Sequence, residues 1–262
     1  MPQRTGLRVR EIVFAVAMGG LAAGGAALIL DESNDGGAPM IVVNTGPVSR
    51  TYELATFDQI ATVGPQDIVI TYGETQSVRA EGSGQALAEL EVVVEDGELT
   101  IRPKDQSAFG FDWDRFRSTT FHITVPQLQR VSLAGSGDIT VDRIEGDSFE
   151  GTIAGPGKLS IADLKVDEAD FSIAGSGDLV VAGTAREADV RIGGSGKIQA
   201  GGLRSENASI AIGGSGDVAL TVQDQARISI AGSGDVDISG PARCSLTRMG
   251  SGDVRCNGQA VD

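Results

Sequence analysis

Between residues 131 and 256, apolar and polar positions alternate with a period of two, and the alternation passes through a glycine corner seven times. Each corner reads apolar residue, Gly-Ser-Gly, charge, apolar residue, with Pro156 in place of serine in the second copy. The first glycines are Gly135, Gly155, Gly175, Gly194, Gly214, Gly232 and Gly250, spaced 20, 20, 19, 20, 18 and 18 residues apart. Two positions before the corner stand Leu133, Ile153, Ile173, Ile192, Ile212 and Ile230, and Arg248 breaks the column in the last copy. Four positions after it stand Ile139, Leu159, Leu179, Ile198, Val218, Val236 and Val254. Such alternation on both sides of a turn predicts strands whose even offsets face inward. A nearly fixed period predicts that the coils stack, each covering the next. The expected fold is therefore all-β, a parallel β-helix of 18–20-residue coils. Glycine suits the corner because it accepts positive φ and allows neighbouring backbones to approach closely.

The segment before the repeats reads differently. Residues 1–30 hold Arg4, Arg8 and Arg10, then an uncharged apolar run at 12–30, then Asp31 and Glu32. This order predicts a signal peptide or a transmembrane anchor with the rest of the chain exported. The uncleaved anchor is favoured, because no small-residue cleavage box closes the run. Residues 31–51 read as a linker with one strand, and residues 52–262 as the β-helical domain. Within that domain, residues 52–125 predict a β-rich N-terminal segment and cap, with a weak helix at 85–91, and residues 126–262 hold the repeats.

The units resemble the head GIN domain family, a group named for a conjectured auto-transporter adhesin head. The resemblance rests on the I-x-G-S-G-D-[ILV]-x-[VIL] repeat, on Phe57 to Ile60, on Asp67 to Gly73 and on Val94 to Pro103, and it covers roughly residues 52–258. It implies a right-handed parallel β-helix exported to the bacterial envelope, and it implies little chemistry.

Composition narrows the function. The net charge is −15, and the basic N-terminal segment leaves residues 31–262 at −17. Nucleic acid and anionic membrane surfaces attract clustered Lys and Arg, so both are excluded as partners. Catalysis is not expected. The turn serines lack a base, the only histidine is His122, and no G-x-S-x-G elbow occurs. The repeats also lack Trp and Tyr, the usual platforms for sugar rings. The partner is expected to be an envelope protein or a glycan, and self-association is left open.

Three departures from the repeat are candidate sites. Residues 105–121 interleave Phe109, Phe111, Trp113 and Phe116 with Arg115 and Arg117. They read either as a recognition surface or as a cap over the first coil, with the cap favoured. The charge after each corner runs Asp138, Lys158, Asp178, Lys197, Asp217, Asp235, Asp253. The like-signed end, Asp217, Asp235 and Asp253, is a weak calcium candidate against the simpler reading of solvated turn carboxylates. No other cofactor is expected. Cys244 and Cys256 occupy inward columns of the last coil. An exported setting predicts that they form a disulfide fastening its end, with two buried thiols as the alternative.

Overall fold

The computed structural model describes residues 48–104 and 113–261. These residues form a β-solenoid of about six turns. Consecutive coils pair parallel and in register, Ile153 with Ile173, Ile173 with Ile192, Ile192 with Ile212, and Ile212 with Ile230. All five side chains are buried. Each such burial stabilises by about 1.5–3 kcal/mol, and the ladder repeats on the other wall through Leu159, Leu179, Ile198 and Val218. Gly151 interrupts one inward column because the rings of Phe149 and Phe171, 6.2 Å apart, fill the space beside it. A third side carries Ile144, Leu164 and Leu203 inward. It absorbs the variation in coil length, through register shifts between Ile161 and Leu164, Val180 and Ala182, and Ala200 and Arg204.

The corners are held as tightly as the walls. Gly232 has φ 144°, and a Cβ there would overlap the backbone of Gly214 in the coil beneath. The amide of Ser233 donates to the Gly214 carbonyl at 2.9 Å, so the hydrogen-bond ladder continues around the turn. The serine side chains point outward, as expected of small turn residues.

The stack extends further towards the N-terminus than the repeat does. Gln59–Val63 pairs parallel with Arg130–Ala134, and Asp67–Tyr72 pairs parallel with Asp138–Val141. The corner between them is Gly64-Pro65-Gln66-Asp67, and Gly64 takes a positive φ of 132°. Its amide donates to Ala134 O at 2.9 Å, and Asp67 Oδ1 accepts the Asp138 amide at 3.0 Å. This coil sits on another level, built from Glu98–Pro103 and Thr120–Val125, again parallel. Antiparallel strands close the end. Leu90–Glu95 pairs with Glu98–Pro103, Ser77–Gly82 with Thr120–Val125, and Val48–Tyr52 with Ser77–Gly82. Before Leu90 runs a six-residue helix, Gly84–Glu89, whose first turn is capped by Ser83 Oγ accepting the Ala86 amide at 3.1 Å.

At the other end, the strand Arg243–Gly250 pairs with the coil beneath through Ala226–Cys244 and Ile228–Leu246. The chain then turns back as a short antiparallel hairpin, Val254–Cys256 with Gln259–Ala260, through Asn257 and Gly258, both at positive φ.

Candidate functional site

The aromatic segment stands where the outermost coil would have its corner. Its flanking strands, Glu98–Pro103 and Thr120–Val125, are the two walls of that coil, joined through residues 104–119 where Gly64, Pro65 and Gln66 suffice in the coil above. Its described end, residues 113–119, folds back on the coil above. The Asp67 amide donates to Thr119 O at 3.0 Å, and the Thr119 amide donates to Phe116 O at 3.0 Å. Trp113 and Phe116 bracket a single turn of 3-10 helix.

The structure divides these candidates. Phe116 is fully buried and packs in the core. Trp113 is 41% exposed, with an indole edge against the Gly64 corner. Arg115 Nη1 lies 2.5 Å from Glu89 Oε2, which ties the segment to the short helix. Arg117 Nε lies 2.7 Å from Asp114 Oδ1. Phe109 and Phe111 lie outside the described residues. Phe116 thus closes the core, while the Trp113 indole stays partly exposed against the Gly64 corner.

Two buried polar groups beneath this segment were not singled out in the sequence. Gln66 is fully buried, and its Nε2 donates to Thr62 Oγ1 and to Val63 O, each at 3.0 Å. Its Oε1 and the buried hydroxyl of Thr119 have no hydrogen-bond partner among the described residues. Gln66 holds the place that the second corner glycine holds in later coils. A long side chain fits there because the coil beneath has no corner of its own. The signal in the sequence was Gly64-x-x-Asp67 between Ile60 and Ile68, which has the same offsets as the later copies.

The charge column forms as expected along one edge, with Lys158 between Asp138 and Asp178, and Lys197 between Asp178 and Asp217. Its end is not a cage. Asp217 Oδ2 lies 3.7 Å from Lys197 Nζ, and Asp235 Oδ1 accepts the Asp253 amide at 2.8 Å. Among the described residues, no cluster of three or more His, Cys, Asp or Glu side chains is arranged to hold a metal ion. His122 faces solvent in the strand Thr120–Val125.

Cys244 and Cys256 form the expected disulfide, with Cα atoms 6.3 Å apart. It joins the two walls of the last coil across its open end. The bridge is consistent with an oxidising compartment.

A stack of parallel coils with glycine corners, an elaborated first level and a cross-linked last one defines a β-solenoid head domain. The chain belongs to the family described as "Putative auto-transporter adhesin, head GIN domain", whose model matches residues 56–242. Solved structures share the fold. A "putative adhesin" from Bacteroides fragilis is 24% identical with a TM-score of 0.73, over 79% of this chain and 95% of that one. A "putative lipid binding protein" from Parabacteroides distasonis is 23% identical with a TM-score of 0.66, over 80% of this chain and 96% of that one. A "putative adhesin" from Parabacteroides merdae is 21% identical with a TM-score of 0.63, over 79% and 95%. No curated protein matches. Neither the family nor these neighbours is described as an enzyme. The family and the disulfide together point to an extracytoplasmic protein. Among the described residues no helix is long and apolar enough to cross a membrane, and residues 12–30 lie outside them.

Proposed function

We propose that this chain is a non-catalytic, adhesin-like interaction module of the bacterial envelope, held by an uncleaved anchor at residues 12–30 with residues 31–262 on the extracytoplasmic side. The observation that carries this reading is the family match laid over a solenoid whose repeated side chains serve as core or as corner. What remains for recognition is what departs from the repeat. The Trp113 face is the foremost such departure, because a partly exposed indole suits both sugar rings and peptide surfaces.

The test uses the full chain in mild detergent on a glycan array and on beads presented to whole cells. Binding to a glycan class or to cells, lost in Trp113→Ala without loss of folding, supports the reading. Binding unchanged by Trp113→Ala moves the site elsewhere. No adhesion to either, with one envelope protein recovered reproducibly, favours a scaffold within a membrane complex instead. Intact mass of the mature chain reports whether residues 1–30 are retained.

A further inference from the structure

Both ends of one wall of the solenoid finish in a strand with a single partner among the described residues. At the N-terminal end this strand is Leu90–Glu95, paired only with Glu98–Pro103. At the C-terminal end it is Arg243–Gly250, paired only with Asp217–Gly232. An unpaired edge offers a row of backbone donors and acceptors to another strand, and proteins commonly block such edges with charge. Here the blocking charges have opposite signs. Residues 89–98 carry Glu89, Glu91, Glu95, Asp96 and Glu98 and no cation. Residues 240–261 carry Arg243, Arg248 and Arg255 against Asp253 alone. Like signs oppose the pairing of two identical ends, whereas opposite signs favour head joining tail.

We infer that the C-terminal edge strand Arg243–Gly250 of one copy receives the N-terminal edge strand Leu90–Glu95 of a second copy, in antiparallel pairing. The register follows from the coil frame. Val94 stacks on Leu99 and Leu246 stacks on Ile228, and these pairs occupy the same inward column. Val94 and Leu246 are both half-buried where the stack ends, so joining the ends continues that column. In the same register Val93 faces Thr247 on the outer surface, Glu91 faces the exposed Met249, and Glu95 lies diagonal to Arg243, which also reaches Asp224 of its own chain at 2.9 Å. Arg102 Nε donates to Glu91 Oε2 at 2.8 Å, and this hydrogen bond raises the pKa of the guanidinium. The contact is heterologous, since each copy uses a different end, and its repetition gives an open linear array. It does not depend on the adhesin reading.

The experiment uses full chains in mild detergent, folded as judged by circular dichroism. One variant carries Thr247→Cys, another Val93→Cys, and a short bismaleimide is the probe. Directly opposed residues in an antiparallel pair have Cβ atoms about 4.5–5.5 Å apart, within its reach. The expected result is a cross-linked dimer in the mixture and none from either variant alone. Sedimentation at low salt should show association rising with concentration and falling at high salt. Arg243→Glu in the Thr247→Cys chain should lower the cross-linked yield at least tenfold, and Glu95→Arg in the other chain should restore it. Cross-linking of the Thr247→Cys chain with itself would overturn the head-to-tail arrangement. A monomer at every concentration in low salt would overturn the inference altogether.

Discussion

Gly232→Ala separates a structural corner from a chemical one. At φ 144° the backbone lies where an L side chain is strained, and the added methyl would overlap the carbonyl oxygen and carbon of Gly214 and crowd its nitrogen. The strained dihedral costs about 1–3 kcal/mol. Relieving the overlap by lifting one coil from the next costs about another 1–3 kcal/mol, the usual range for overpacking. The sum, on the order of 2–6 kcal/mol, corresponds to a fall in Tm of roughly 5–20 °C for a domain of this size. Ser215→Ala is the control one coil away. Its hydroxyl faces solvent, and surface changes of that kind usually stay within about 0.5 kcal/mol. Urea unfolding followed by circular dichroism measures both, and amide exchange shows whether the loss is confined to coils adjoining Gly232. Equal small effects from the two substitutions would refute the reasoning, because the corner would then tolerate a side chain and its glycines would need another explanation.

Four further outcomes follow from the same geometry. Replacing Cys244 and Cys256 together by Ala, or reducing the bridge, should cost about 3 kcal/mol in the chain-entropy account of a short loop. Amide exchange should place that loss mainly after Arg243. Phe116→Ala should cost about 3–5 kcal/mol, the range for a buried phenylalanine, whereas Trp113→Ala should cost distinctly less because much of its indole already meets solvent; thermal unfolding ranks the two. Lys197→Glu turns an attractive neighbour of Asp217 and Asp178 into a repulsive one and should destabilise by a few tenths of a kcal/mol, less at high salt. Added calcium should leave Tm unchanged, since Asp217 and Asp235 are engaged with Lys197 and the Asp253 amide; a clear rise would put a metal site back at that end.

The coils were legible because their periods agree. Period two along the strand places Ile173 and Leu179 on the same inward side of the corner, and a period near 20 residues places Ile153 against Ile173. The first coil was not legible by that route, because Gly64 precedes Gly135 by 71 residues instead of 18–20. The capping strands Ser77–Gly82 and Leu90–Glu95, the short helix and the aromatic segment are all inserted between two coils that are neighbours in space. No periodicity survives such an insertion, although the local offsets of Ile60, Gly64, Asp67 and Ile68 do. The candidate site was legible as a segment and not as individual side chains. Aromatic spacing in the sequence does not say that Phe116 points into the core while Trp113 points out, since that depends on which coil lies above. The cysteines were legible because both fall on inward columns of one coil.

The repeat also explains why recognition belongs to its interruptions. Adjacent coils lie about 4.8 Å apart, a spacing shorter than most ligands, so anything bound along the corner edge touches several coils at once. From Asp138 to Asp217 it would meet charges of alternating sign, whose fields largely cancel beyond the nearest neighbours. Past Asp217 the alternation stops, and Asp235 and Asp253 leave an uncancelled negative edge beside a strand bearing Arg243 and Arg248. A distinct binding surface on a solenoid needs a place where neighbouring coils differ. In this chain those places are the Trp113 excursion, where a corner is replaced, and the last coil, where the charge order and the inward column both break.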